Sequence, residues 1–424
     1  MQISKVAIVG AGTMGSSIAV AVSGSGFPVV LKDVDEEAVR AGLQRVDRLL
    51  ASMVKKGLPQ HDAESQRALI EAATNYEAFP DVDLVIEAVA ENLDVKRVVL
   101  KELDDNCNVH AIFATNTSSL PITLLAQATR RPDKVVGMHF FNPAHLMKLV
   151  EVVPGLDTST DTARTAVEFG QALGKLAVRV EECPSFLVNR LLGRYMNEAL
   201  WCLQEGVATV EEIDRAAVEY VMPIGPFALR DMNGADVGLA VARYNYQEYG
   251  ERFKPSPILE QMVKRNFLGQ KSGAGFYEYD RETRKRSGPN PELSEVLTDV
   301  RALRAAVPSA HHNPETDQLA RVLQTDFSQP ETAIHASFRV ERLFLPMINE
   351  AFLVLQEKIC QAEDLDPALM AGLGMRKGPL TLAAEIGLAD CLRQLEELFQ
   401  RHGERFRPAN LLKRYVWGGR TTVV

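Results

Sequence analysis

Residues 5–26 read KVAIVGAGTMGSSIAVAVSGSG: a short apolar run, three glycines spaced G-x-G-x-x-G, then a stretch with helical period. Strand, glycine turn and helix in that order are the opening of a dinucleotide-binding βαβ unit. Gly10 permits the tight turn, Gly12 lets backbone approach a pyrophosphate, and Gly15 lets helix pack on strand. Backbone N–H groups around Thr13 and Met14, at the helix start, would then meet the phosphates. Alone, the pattern leaves a structural glycine-rich turn open as the lesser alternative. Asp33 adds weight, because it closes the next apolar run, VVLKD, at 33 − 15 = 18 positions after Gly15. That is near the roughly 20-residue offset of a carboxylate that binds a ribose 2′-OH. A carboxylate there disfavours a 2′-phosphate, so NAD is expected rather than NADP. Lys32, beside it, is expected on the opposite strand face, in solvent.

Outward from this unit, short apolar runs at 6–10, 29–33, 84–89, 112–116 and 135–141 alternate with amphipathic ones up to Cys183. The alternation predicts an α/β Rossmann-type doubly wound sheet over residues 1–183. Between Asp35 and Ala73 the pattern is helical, broken by KKGLPQHD at 55–62, which predicts a helical-hairpin insertion. Beyond Cys183 the 3.6-residue period takes over, predicting a helical domain over 184–283. Residues 284–334 are rich in charge, Pro and Asn and read as a linker with at most one or two helices, RALRAAV among them; RKR at 284–286 reads as a solvated turn.

The remaining segment, 335–424, repeats the helical domain. FLVNRLLGRYMNEALWCLQEG from Phe186 aligns without gaps on FRVERLFLPMINEAFLVLQEK from Phe338. The match continues through Asp214 and Asp366, Gly225-Pro226 and Gly378-Pro379, and GERF at 250–253 and 403–406. Identical turn residues at matched spacing imply a duplicated all-α domain rather than two chance Leu-rich helices.

Composition narrows the function classes. The 424 residues are 46% hydrophobic and 24% charged, with a net charge of −9. An acidic surface repels polyanions, so nucleic acid is not an expected partner, and any phosphate must be captured locally. Cys107, Cys183, Cys202, Cys360 and Cys391 are odd in number and form no CxxC pair, so neither a disulfide framework nor a metal site is indicated. A cytoplasmic protein is expected: the start MQISKVAIVG enters a strand without a targeting segment, and no apolar run approaches a membrane span.

Two ionisable residues stand in the strand-like stretch GMHFFNPAHLMKLVEVV, residues 137–153. His139 and Glu151 are both expected to be buried. A buried carboxylate without a partner costs several kcal/mol or takes up a proton. Pairing the two removes that cost, and a histidine held by a carboxylate is also the usual general base. A core histidine and a structural glutamate remain equally compatible with the pattern. Two further polar segments, EAVAENLDVK at 87–96 and TNTSSLPIT at 115–123, lie at strand ends, where ligands of such sheets collect. Thr117 or Ser119 is also a candidate helix N-cap.

GAGTMG, EAVAENLDVK, NTSSLPIT, GMHFFNPAHLMKLVEVV and CPSFLVNRLL together resemble the hallmark segments of the L-3-hydroxyacyl-CoA dehydrogenases, over residues 5 to about 280. With its second helical copy the chain is most similar to the dehydrogenase portion of bacterial fatty-acid oxidation α subunits, without the enoyl-CoA hydratase domain. The resemblance implies NAD-dependent oxidation of a 3-hydroxyacyl-CoA. It makes His139 the base, Glu151 its partner, and Ser118 and Asn189 the polar contacts to substrate. Asp33, Glu91, Lys96, Asn116 and Asn142 fall on NAD-contacting positions, and Lys56, with Lys55 beside it, on a CoA-contacting one. Ser185 stands where the family usually has Gly, and Glu341 stands in the second copy where Asn189 stands in the first. Two copies in one chain favour a monomer, with the family's homodimer as the alternative and a separate hydratase or thiolase as a further candidate partner. A dehydrogenase of a non-CoA 3-hydroxy acid or diketone, and a non-catalytic protein on a retained scaffold, are the alternatives.

Overall fold

The computed structural model describes residues 2–57, 62–306 and 338–423. Of the linker 284–334, residues 307–334 lie outside the described residues, as do the first three of the second helical copy. The chain divides into two compact units, Met1–Leu191 with Ala351–Leu388 and Ala409–Val424, and Leu192–Glu350 with Ala389–Pro408.

The first unit is built on an eight-stranded sheet. Its strands are β1 (Val6–Val9), β2 (Val29–Lys32), β3 (Ile70–Ala73), β4 (Leu84–Glu87), β5 (Ile112–Thr115), β6 (Val135–Phe140), β7 (Leu149–Pro154) and β8 (Leu176–Arg179), in the order β3-β2-β1-β4-β5-β6-β7-β8. All neighbouring pairs are parallel except β6–β7. Only eight residues separate those two strands, too few for the crossover that parallel pairing requires, so β7 folds straight back. Helices α1 (Thr13–Gly24), α2 (Glu36–Lys55), α3 (Ala63–Ala68), α4 (Leu93–Asn106), α5 (Ile122–Ala126) and α6 (Thr160–Ala172) make the crossovers. Ile8, Ile18, Leu31, Ile86, Met138, Val150 and Phe169 meet in the core.

Three expectations change here. Residues 70–73, expected helical, form β3, an edge strand on the short arm α3. Lys32 is buried, and its ammonium lies 4.3 Å from the centre of the Tyr76 ring, which exchanges water for the π face. Neither Thr117 nor Ser119 caps a helix: α5 begins after Pro121 with no side-chain cap, and Thr117 Oγ1 instead accepts from the backbone N–H groups of Ser119 and Leu120 in the preceding turn.

The second unit is mostly helical. It contains most of α7 (Val188–Gln204), with α8 (Val210–Tyr220), α9 (Pro226–Asn233), α10 (Ala235–Tyr249), α11 (Ile258–Lys264), a two-stranded ribbon of β9 (Tyr277–Tyr279) and β10 (Arg286–Pro289), and α12 (Leu293–Ala306). The expected basic turn at 284–286 leads into that ribbon, and Arg286 packs its guanidinium 4.5 Å from the centre of the Tyr277 ring.

The repeat reappears as repeated physics. In the first copy Asp214 accepts from the N–H groups of Phe227 and Ala228 at the start of α9, and in the second Asp366 accepts from those of Leu380 and Thr381. A Cβ on Gly225 or Gly378 would meet the aspartate Cγ at 2.2 or 2.3 Å, which is why both copies keep Gly-Pro there. Ion pairs are exchanged between the copies at matching positions. Arg190 pairs with Glu357 and Arg342 with Glu205; Arg252 pairs with Glu350 and Arg405 with Glu198.

Candidate active site

The glycine turn is built as the spacing requires. Gly10 has φ 102°, and a Cβ there would lie 2.6 Å from Ala88 O; a Cβ on Gly15 would lie 1.7 Å from Gly10 O. Gly12 differs, because a Cβ on it would meet nothing within 4 Å. The space beside Gly12 is therefore open. Helix α1 starts at Thr13 with no side-chain cap and no acidic residue in its first turn, so the N–H groups of that turn remain for a pyrophosphate. Asp33 Oδ2 accepts from Ala11 N at 2.7 Å and Oδ1 from Val34 N at 2.7 Å, which fixes the carboxylate beside the turn. These residues fit a bound NAD.

At the ends of β4 and β5 the rim carries a charge cluster built around a buried lysine. Lys96 is 1% exposed, and its ammonium lies 2.8 and 3.1 Å from the two oxygens of Glu87 and 3.3 Å from Glu91. Thr115 Oγ1 and Val89 N donate to the same Glu87 carboxylate. Glu91 Oε1 in turn accepts from Thr117 Oγ1 at 2.7 Å and from Ser118 N at 2.9 Å. Burial would raise the pKa of Glu91, but Lys96 and the bonds from Thr117 and Ser118 outweigh it and hold the group below the usual carboxylate range. Glu91 thus clamps the loop that presents Ser118, and Lys96 serves the clamp from inside. Glu87 escaped the sequence reading, although a lone carboxylate in LVIEAV carries the same burial signal as Glu151.

His139 and Glu151 face each other across β6–β7, with Nδ1 2.6 Å from Oε2. Glu151 is fully buried and His139 nearly so. The other carboxylate oxygen accepts from Val188 N at 2.8 Å and Leu187 N at 3.2 Å, at the start of α7. A carboxylate facing Nδ1 puts the ring proton on that nitrogen and leaves the Nε2 lone pair as the acceptor. The rings of Phe141 and Phe186 flank the imidazole at 4.5 and 5.8 Å between centres. Asn116 lies next in the assembly, its Oδ1 accepting from Phe140 N at 2.9 Å, one residue after His139. Asn189 follows Val188 in the first turn of α7, and Asn142 is exposed just past β6. Lys55 and Lys56 are exposed at the end of α2 and form no ion pair among the described residues. At the family's glycine position Ser185 holds φ 64°, and Phe186 follows at φ 51°, so the serine adopts the left-handed conformation that glycine would take without strain.

A family model described as "3-hydroxyacyl-CoA dehydrogenase, NAD binding domain" matches residues 5–183, and the companion C-terminal-domain model matches 186–279 and 338–423. The glyoxysomal fatty acid β-oxidation multifunctional protein MFP-a of Cucumis sativus is 36% identical over 99% of this chain and 56% of its own length. The chain thus spans about half the length of such curated relatives. A probable 3-hydroxybutyryl-CoA dehydrogenase of Bacillus subtilis is 42% identical over 67% of this chain and all of its own length. The crystal structure of 3-hydroxybutyryl-CoA dehydrogenase from Escherichia coli superimposes with a TM-score of 0.81 at 30% identity, covering 98% of this chain and 99% of that one.

Proposed function

The chain belongs to the 3-hydroxyacyl-CoA dehydrogenase family, and from that premise we propose that it catalyses the reversible, NAD-dependent oxidation of an (S)-3-hydroxyacyl-CoA to the 3-ketoacyl-CoA in fatty-acid β-oxidation. The buried His139–Glu151 pair is the observation that carries this reading. Bound NAD supplies the hydride acceptor. His139 Nε2 takes the proton of the C3 hydroxyl, and Glu151 stabilises the imidazolium that results. Ser118, held by Glu91, hydrogen-bonds to the same substrate oxygen, and Asn189 contacts the substrate from the start of α7. In the reverse direction the imidazolium returns its proton to the nascent alkoxide.

His139→Gln should retain NADH binding, followed by fluorescence, and lose roughly 10²- to 10⁴-fold in kcat. Near-normal turnover by that variant would overturn the assignment. Comparing acetoacetyl-CoA with free acetoacetate tests the substrate class: equal kcat/KM would remove CoA from the account. A monomer belongs to the same proposal, supported by the four ion pairs that the two helical copies exchange within one chain.

A further inference from the structure

The segment between β8 and α7 is strained, and the second helical copy holds it at both ends. Ser185 and Phe186 are successive non-glycine residues at φ 64° and 51°. Such backbone persists only where its surroundings fix it. Directly after it come Leu187 and Val188, whose N–H groups serve Glu151 Oε1, and then Asn189. Before it, Glu181 N donates to Ile359 O at 2.8 Å. Beyond it, the fully buried Arg190 guanidinium donates from two nitrogens to the two oxygens of Glu357, at 2.7 and 3.0 Å. Both holding points come from one turn, Glu357-Lys358-Ile359, which ends the helix Glu341–Gln356 of the second copy. That copy also closes on the strand that bears Glu151. A Cβ on Gly372, in the helix Ala362–Leu373, would lie 2.7 Å from Leu149 Cδ2 and 3.4 Å from Val188 Cγ1.

Arg342 and Glu205 make the mirror pair. There the arginine follows Glu341, which stands in place of Asn189, and Gly206 takes at φ 69° the turn position that Lys358 holds at φ 60°. One device is thus used twice, once beside the proposed substrate contact and once beside none. We propose that Glu357 is a positioning residue for the reaction: through Arg190 it seats the first turn of α7, and with it the N–H groups that hold Glu151 and the side chain of Asn189. This rests on the dehydrogenase reading above. A bidentate guanidinium–carboxylate pair fixes direction as well as distance. A buried guanidinium that loses its carboxylate is left with an uncompensated charge and shifts to be solvated. A displacement of about 1 Å in a positioning group costs on the order of 10²-fold in rate. The second copy therefore works for the active centre of the first.

The mirror pair supplies the control. Glu357→Gln and Glu205→Gln each remove a carboxylate that faces an arginine, and both should lower the melting temperature by several degrees. Glu205→Gln should lower it at least as far, because Arg405 bonds to that carboxylate too. With acetoacetyl-CoA and NADH, Glu357→Gln should lose about 10- to 100-fold in kcat, while its NADH affinity, followed by fluorescence, moves less than about twofold. Glu205→Gln should keep kcat within about twofold of the parent. Hydrogen exchange over residues 185–191, read by mass spectrometry, should quicken in Glu357→Gln alone. Equal losses of kcat in the two variants would reduce Glu357 to a stabilising role, and unchanged kcat in Glu357→Gln would remove it from the reaction; either overturns the proposal. If a glutamine variant failed to fold, Glu357→Asp and Glu205→Asp, which keep the charge on a shorter side chain, carry the same comparison. If the parent chain did not reduce acetoacetyl-CoA, the dehydrogenase reading would fall on its own, and the exchange of residues 185–191 would still decide whether Glu357 seats α7.

Discussion

His139 Nδ1 and Glu151 Oε2 lie 2.6 Å apart at directly paired positions of β6 and β7, while Glu151 Oε1 accepts from Leu187 N, just before α7, and from Val188 N, its first residue. One carboxylate therefore orients the base and fixes the helix that carries Asn189. Glu151→Gln should lose on both counts. An amide presents an NH₂ on one side, so either His139 or the start of α7 then faces a donor with a donor. The expected outcome is a loss of about 10²-fold or more in kcat and about 1–3 kcal/mol in stability. Steady-state assays with NADH and acetoacetyl-CoA, alongside denaturant unfolding, check it; unchanged turnover would show the pair to be structural only.

The three glycines of the turn separate fold from ligand. Gly15→Ala drives a methyl group into Gly10 O and should destabilise the first unit by several kcal/mol, about the upper range for overpacking. Gly12→Ala meets no protein atom within 4 Å, so its melting temperature should stay within about a degree or two of the parent. Its NADH affinity should nevertheless fall more than tenfold, because the methyl group enters the space of the pyrophosphate. Calorimetric NADH titration of the two variants distinguishes the cases, and tight binding by Gly12→Ala would remove the turn from the cofactor site.

What the residues reveal in order along the chain is what depends on local rules. The glycine turn, the strands with continuous apolar runs and the ionisable pair in apolar strands are all stated by spacing and burial. β3 is not, since IEAA is a short edge strand whose two central residues are exposed and carry no alternation. Lys32 was misjudged because its environment is Tyr76, more than forty residues away. Lys175 is the harder case: its partners are two backbone carbonyls, and a carbonyl leaves no mark in sequence. Lys96 sits between these extremes, because its place in the family pattern was visible while its enclosure by Glu87 and Glu91 required the sheet.

That enclosure makes Lys96 a sensitive position. Lys96→Met keeps the volume and removes the charge, leaving the buried Glu87 carboxylate without its counter-ion. Removing one member of a buried pair costs about 3–5 kcal/mol. Glu87→Gln on top of Lys96→Met should recover a good part of that loss, since no unpaired buried charge remains at that position. A urea double-mutant cycle measures the coupling, and additive single effects would contradict the burial argument.

The helical unit should carry an acid-labile element in His402. Its ring is half-buried near Glu205, 3.5 Å from Nδ1 to Oε1. Burial lowers its pKa to about 4; Glu205 opposes the shift and the guanidinium groups of Arg342 and Arg405 add to it. In the unfolded chain a histidine titrates near 6.5. Above pH 6.5 the ring is neutral in both states, and below about 4 it is charged in both. Between those values the unfolded chain binds the proton and the folded one does not, so stability falls as pH drops through that window. His402→Gln should remove on the order of 1–2 kcal/mol of the loss between pH 7 and pH 4.5, allowing for solvent screening at a partly exposed ring. Urea unfolding of parent and variant at both pH values is the measurement, and identical pH dependence would show that His402 takes up its proton in the folded state as readily as in the unfolded one.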